Sequence, residues 1–373
     1  MTDPLEETIE APALQTPVDR AQLTPRDAER PSLLSVVCPA YNEAEVLERF
    51  HARVTAVLKG LKQPFEIVYV NDGSSDATLA LMLALRGRDP ATTVVDLSRN
   101  FGKEIALTAG LDAAQGDAVV VIDADLQDPP EVVKEMIAGW AEGYDVVYAR
   151  RRERQGETRL KRATAGLFYK LMSRLGSVRL PENTGDFRLM SRKAVEAVKR
   201  LREQHRFMKG LFAWIGFPAK EVLYDREPRA AGETKWNYWK LWTLALEGVT
   251  SFTVTPLKVS TYLGVVVSGF AFLFALFIVG KVVFYGESVQ GYPSMMVTIL
   301  MLGGVQLIVL GVMGEYLGRV FNETKDRPLY LVNAVHVAEL QRAGVKDRRA
   351  AAEAFAARAA EEKSQVSRGS LSA

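Results

Sequence analysis

Two stretches without a single Asp, Glu, Lys or Arg, residues 259–280 and 288–314, constrain this 373-residue chain more than any other feature. As a helix the shorter run rises about 33 Å, enough to cross a hydrocarbon core of roughly 30 Å. Pro293 suits the first turn of a second helix and the connection 281–292 is short, so the pattern predicts a hairpin within 257–320, with spans at about 257–282 and 292–318. Lys235, Lys240 and Lys258 precede it and Arg319, Lys325 and Arg327 follow it, which puts both flanks in the cytoplasm. Gly304, Gly311 and Gly318 recur every seven residues, and Gly314 with Gly318 forms G-x-x-x-G. Such a stripe allows close helix approach, by the first span or by another subunit, and predicts a homo-oligomer through the hairpin. Glu315 and Arg319 are spaced to pair.

The charged residues, 47 basic against 45 acidic, all lie outside those runs, so a soluble domain is joined to a membrane part. A net charge of +2 gives no reason to expect nucleic acid. One cysteine, Cys38, excludes an internal disulfide, and three scattered histidines leave no zinc pattern. Chemistry must rest on carboxylates and cations. Residues 1–31 lack an apolar run and read as a disordered cytoplasmic tail, and 321–373 as a cytoplasmic C-terminal tail with a charged helix at 346–363. Trp236, Trp239 and Trp242, beside Lys235 and Lys240, make 231–256 either an interfacial amphipathic helix or a helix packed on the core.

Within 32–230, apolar runs at 33–38, 65–70, 92–97, 118–122 and 145–148 alternate with helical spacing at 43–60, 76–87, 103–115 and 130–142. Continuous runs such as V-V-V-I-D suit strands buried on both faces, and helix-length crossovers imply a mainly parallel sheet, hence an α/β domain with ligands at strand carboxyl ends. Three of those ends are polar: C-P-A-Y-N-E (Cys38 to Glu43), N-D-G-S-S-D (Asn71 to Asp76) and D-A-D-L-Q-D (Asp123 to Asp128). Singly, each also reads as a turn or helix cap. Together they put hard oxygen ligands, of the kind that bind Mg²⁺ or Mn²⁺ with substrate phosphates, in one cleft.

In this order, with R-N-F-G-K (Arg99 to Lys103), D-F-R-L (Asp186 to Leu189), G-E-T-K-W (Gly232 to Trp236) and S-F-T-V-T-P-L-K (Ser251 to Lys258), the series resembles glycosyltransferase family 2 with the GT-A fold. It is similar to the polyprenyl-phosphate branch, to which dolichol-phosphate mannose synthase is related. The resemblance covers about residues 32–330. It implies that Pro39, Ala40, Tyr41 and Glu43 cradle the nucleoside, that Asp72 accepts from the base, that Asp123 sits beside the nucleotide, and that Asp125 and Gln127 hold Mg²⁺ or Mn²⁺ on the diphosphate. Arg229 and Lys235 match cations that close over the diphosphate, and Arg150 and Arg162 match those that take the acceptor phosphate. Asp186 either orients the acceptor, acts as a base or forms a structural pair with Arg188.

The implied reaction is inverting transfer of a hexose, UDP-glucose being the favoured donor, to a polyprenyl monophosphate at the inner membrane. A processive polysaccharide synthase is disfavoured because Q-x-x-R-W and further spans are missing, and a non-catalytic lipid-phosphate-binding scaffold because the metal motif is intact.

Overall fold

The apolar runs become the middle of one sheet. In the computed structural model, which describes residues 23–26, 30–152, 184–227, 255–285 and 291–338, β1 (Leu34–Ala40), β2 (Phe65–Asn71), β3 (Thr92–Leu97) and β4 (Ala118–Val121) pair in parallel around β1. Their crossovers are α1 (Ala44–Gly60), α2 (Thr78–Arg88) and α3 (Lys103–Ala113). Helix α4 (Val133–Ala141) leads to β5 (Val146–Arg151), and β6 (Thr184–Ser191) runs antiparallel between β4 and β5. After α5 (Arg192–Arg200) and α6 (Met208–Trp214), β7 (Ala219–Tyr224) pairs in parallel with β5. The described residues form eight strands in the order β7-β5-β6-β4-β1-β2-β3-β8, the last being Val332–His336, in a mixed, mainly parallel sheet of GT-A type. Strands β1 to β4 are buried on both faces, as runs without polar alternation require.

The last strand corrects the sequence reading. Val332–His336, expected in a C-terminal tail, forms β8, antiparallel to β3 at the sheet edge. Tyr330 anchors the approach by donating to Asp112 at 2.7 Å, and Ser98 N donates to Leu331 O at 2.9 Å. A five-residue strand leaves little periodicity to read. The N-terminal tail is corrected likewise: Arg26 pairs with Asp145 at 2.7 Å and stacks 4.6 Å over the Trp140 ring. With its further bonds to the backbone of Trp140, Ala141 and Tyr144, Arg26 holds a segment that has no apolar run to announce it.

The uncharged runs lie in α7 (Thr255–Tyr285) and α8 (Tyr292–Thr324), which pack on each other. Met301–Thr324 is long and apolar enough to cross a membrane and is unburied; it is the one such helix among the described residues, the apolar stretch Val259–Phe274 of α7 being shorter. Phe270, Phe284, Leu307 and Leu317 are all more than 65% exposed, an apolar surface that water does not tolerate on a monomer. Arg319 donates to Glu315 at 3.1 Å, as spaced. Gly304, Gly311, Gly314 and Gly318 have open space where a Cβ would stand, so the stripe is not spent on α7.

Close packing of α3 on the sheet depends on Gly110, where an added Cβ would lie 2.3 Å from Val37 Cγ1 and 3.0 Å from Val70 Cγ2. In an open helix Gly to Ala gains about 1 kcal/mol. Here overpacking against two β-branched strand residues costs about 1–3 kcal/mol and wins. Gly110→Ala should therefore lower the denaturant midpoint of the detergent-solubilised protein, and an unchanged or raised midpoint would contradict this packing.

Candidate active site

Parallel pairing carries the ends of β1, β2 and β4 to one rim, and antiparallel β6 brings its first residues to the same place. Val121 faces Arg188, and two further steps of that register put Asp123 level with Asp186. Two carboxylates at such a distance repel unless a cation intervenes. Lys103, the first residue of α3, supplies it: its Nζ is 2.7 Å from Asp123 Oδ2 and 2.7 Å from Asp186 Oδ2. Burial alone would raise the Asp186 pKa, but the Lys103 and Lys209 ammonium groups overcome it and hold the carboxyl below its usual range. Burial works against the charged form of Lys103 too, and Asp123 and Asp186 outweigh it. The side chain is 45% exposed, so water screens part of the attraction.

Behind this bridge lie Glu104, Lys209 and Arg188. Burial, reinforced by Asp186, pushes Glu104 up to about 7, while burial pulls Lys209 down and Arg188 down to about 10. Arg188 corrects one expectation. Its guanidinium donates to the backbone oxygens of Gly185 (2.8 Å) and Asp186 (3.2 Å) and stacks 3.9 Å over Phe212. The ion-pair partner of the Asp186 carboxylate among the described residues is Lys103, and Asp186 Oδ1 is buried with no hydrogen-bond partner among them.

Loops from β1 and β2 interlock beside the bridge. Asn42 N donates to Ser74 Oγ (3.1 Å), Ser75 N to Asn42 Oδ1 (2.8 Å) and Glu43 N to Thr78 Oγ1 (2.9 Å). Asp76 accepts from Ala44 N and Thr78 N and so ties down the starts of α1 and α2. Pro39 and Ala40 end β1, and Tyr41 stands 45% exposed at the rim. Asp72 is buried, and its two oxygens accept from Phe101 N (2.7 Å) and Gly102 N (3.0 Å), so it clamps the R-N-F-G-K loop. Gly73 explains why that loop comes so close. It has φ +64°, and a Cβ there would lie 2.4 Å from Arg99 C and Asn100 N.

The D-A-D-L-Q-D loop turns through Leu126 at φ +59°, a conformation that costs a residue with a Cβ of order 1 kcal/mol or more unless its surroundings enforce it. They do. Gln127 N donates to Asp125 Oδ1 at 3.1 Å, Glu227 N to Gln127 O at 3.0 Å, Arg226 to Gln127 Oε1, and Tyr224 to the buried Asp128. Arg53 forks to both Glu131 and Glu227, at 2.7 to 2.9 Å. The Gln127 amide oxygen expected to face a metal therefore carries a guanidinium. Among the described residues no group of three or more His, Cys, Asp or Glu side chains is arranged to hold a metal. An Mg²⁺-type ion held by one carboxylate and substrate phosphates needs no such group, and Asp125, at the rim, is an oxygen donor of the right kind.

Arg150 pairs with Glu221 at 2.8 Å, whereas its neighbour Arg151 turns toward the D-A-D-L-Q-D loop and donates to Tyr224 at 3.1 Å. Arg162, Arg229, Lys235 and the Trp236–Trp242 segment lie outside the described residues. The motif R-N-F-G-K alone does not mark Lys103 as a cleft residue. Its signal was position: a lysine opening a helix directly after a strand that ends beside carboxylates. Lys209 and Tyr224 sit in no motif and had none. Cys38 is fully buried and its thiol is pushed well up by burial, the state of an inert core residue.

The profile of the family described as Glycosyl transferase family 2 matches residues 35–199. An uncharacterized glycosyltransferase of Synechocystis sp. is 57% identical, over 80% of this chain and 94% of its own length. A prophage bactoprenol glucosyl transferase homolog of Escherichia coli is 47% identical over 81% of this chain and 99% of its own. The bactoprenol glucosyl transferase of Shigella phage SfX is 48% identical over the same shares, 81% and 99%.

Glu104 makes stability depend on pH. Its folded pKa of about 7 stands above the ordinary 4.5, so between those values the native state holds the proton and the unfolded state does not. Stability from this group is complete below 4.5, falls as pH rises to about 7 and is flat beyond. Glu104→Gln, which keeps the shape without the charge, should flatten that fall in denaturant titrations and gain on the wild type at pH 8. A parallel pair of curves would mean that Glu104 ionises freely.

Proposed function

The chain belongs to glycosyl transferase family 2, and on that premise we propose that it transfers a hexose, glucose first among candidates, from a nucleoside diphosphate sugar to a polyprenyl monophosphate at the cytoplasmic face of a membrane. One observation carries the reading: a carboxylate cleft and an uncovered apolar helix occur together in a chain 47% identical to a bactoprenol glucosyl transferase homolog.

The acceptor dictates the chemistry. A phosphate monoester is largely dianionic near neutral pH, its second pKa being about 6, so it needs no strong base. What needs help is the diphosphate, which gains charge as the anomeric bond breaks. Asp125 would hold Mg²⁺ or Mn²⁺ there with Gln127 beside it, and such an ion supplies charge neutralisation. Lys103 holds Asp186 ionised and fixed, which suits an orienting role for Asp186 better than a proton-accepting one. Pro39, Ala40, Tyr41, Glu43 and Asp123 are assigned to the nucleotide, with Asp72 ordering the adjoining loop. Arg229 and Lys235 are assigned to the diphosphate, and Arg150 and Arg162 to the acceptor phosphate. Arginine suits that task because its planar fork meets two phosphate oxygens at once.

Two spans are proposed on a parity argument. Strand β7 precedes the helix pair, β8 follows it, and both belong to one sheet. An odd number of crossings would separate them by a bilayer, so if α8 crosses, α7 crosses as well. Arg319, Lys325 and Arg327 then face the cytoplasm. The open glycine stripe of α8 supports association with a second copy. Division into a catalytic domain (32–230), an interfacial segment (231–256) and a hairpin (257–320) belongs to the same proposal.

The test is a panel of radiolabelled nucleotide sugars with undecaprenyl phosphate and membranes carrying the protein, scored by organic-phase label. UDP-glucose should give the label, Asp125→Ala and EDTA should each abolish it, and labelling untouched by either would remove the metal assignment. Replacing Arg150 by Ala should reduce kcat/KM for polyprenyl phosphate about 10- to 150-fold, the cost of one charge-assisted contact, with nucleotide affinity nearly unchanged. Loss of UDP binding with normal acceptor kinetics would move Arg150 to the donor side.

A further inference from the structure

Strand β8 contains one irregularity. Its pairing with β3 runs Val94 to His336, Val95 to Val335 and Asp96 to Ala334, and then Leu97 faces Val332. Asn333 is thus the extra residue of a β-bulge, a device that re-aims a side chain. Here it aims Nδ2 at Asp96 Oδ2, 2.8 Å away. Asp96 is only 5% exposed, and its other oxygen accepts from Asn71 Nδ2 at 2.7 Å. Asn71 in turn accepts from Ser74 N at 3.2 Å, and the next residue, Asp72, holds Phe101 N and Gly102 N. A short relay therefore runs from the segment after the second apolar helix, through one buried carboxylate, to both loops at the ends of β2 and β3.

We propose that Asn333 is a positioning residue for the sugar-nucleotide donor, acting through Asp96 and Asn71 on the N-D-G-S-S-D and R-N-F-G-K loops. The inference rests on the reading of those loops as the nucleoside side of the cleft. A buried carboxylate that loses one of its two amide partners keeps an unpaired oxygen away from water, and it recovers by turning toward solvent. That turn withdraws Asp96 from Asn71, and the Asn71 side chain is what fixes Ser74 N. Among the described residues assigned to the acceptor, Arg150 on β5 and Asp186 on β6 share no hydrogen bond of this relay.

The test measures nucleotide binding and acceptor kinetics on the full chain in detergent, by titration calorimetry with UDP and Mg²⁺ and by KM for undecaprenyl phosphate. Asn333→Leu should weaken UDP about tenfold, the scale of one lost hydrogen bond to a charged group, and leave the acceptor KM within about twofold. Exchanging the partners, Asp96→Asn with Asn333→Asp, keeps one carboxylate against one amide and should restore most of the affinity. Wild-type UDP binding in Asn333→Leu overturns the proposal. So does equal loss of both substrates, or a loss that the exchange does not repair, since either marks a merely structural residue. Asp72→Asn run alongside separates the two readings. If it binds UDP normally, the donor assignment of the loops fails; if it binds weakly while Asn333→Leu binds normally, only the relay fails.

Discussion

The cleft depends on one ammonium group. Parallel strands deliver carboxylates to a common rim because their ends align, and β6 adds Asp186 by running the other way. Left alone, that convergence of like charge would cost several kcal/mol or force a proton onto one group. Lys103 neutralises Asp123 and Asp186 together, and it comes from a helix start that the β3 loop fixes through Asp72. The charges therefore depend on the loop, and the loop on a buried acid that touches neither. The layout separates two tasks that sequence motifs merge: some acidic residues face the cleft and others hold its walls.

Much of this was legible in the sequence, for a physical reason. Strands buried on both faces have nowhere to put a polar residue, so β1 to β4 stood out as continuous apolar runs, and polar clusters at their ends marked the rim. The two long uncharged runs were legible because no soluble core of this size asks for such length. Other features were not. Asp72 and Asp76 look alike as acids in one motif, yet the first clamps a loop and the second caps two helices. Arg150 and Arg151 are adjacent, and strand alternation sends one to Glu221 and the other to Tyr224. Pairings across more than seventy residues leave no local trace, so β8, the Arg26 contact with Asp145 and the Tyr224 contact with Asp128 had to be seen.

The D-A-D-L-Q-D loop shows how a strained turn is kept. Leu126 holds a backbone conformation that glycine would adopt freely. A flexible glycine there would leave the flanking Asp125 and Gln127 less defined. Instead residues 224–227 and Arg53 grip the loop from Gln127 to Glu131. Residues 224–227 thereby fix the D-A-D-L-Q-D loop to the end of β7.

The position of β8 in the chain also sets an order of assembly. The outer edge of β3 pairs with residues made after both apolar helices. During synthesis that edge is bare while α7 and α8 leave the ribosome, and the sheet is completed only when residue 336 has emerged. Until β8 docks, β3 keeps an open strand edge, the feature that drives strand-to-strand aggregation. Completion of the sheet is therefore a late step, placed after both apolar helices in the order of synthesis.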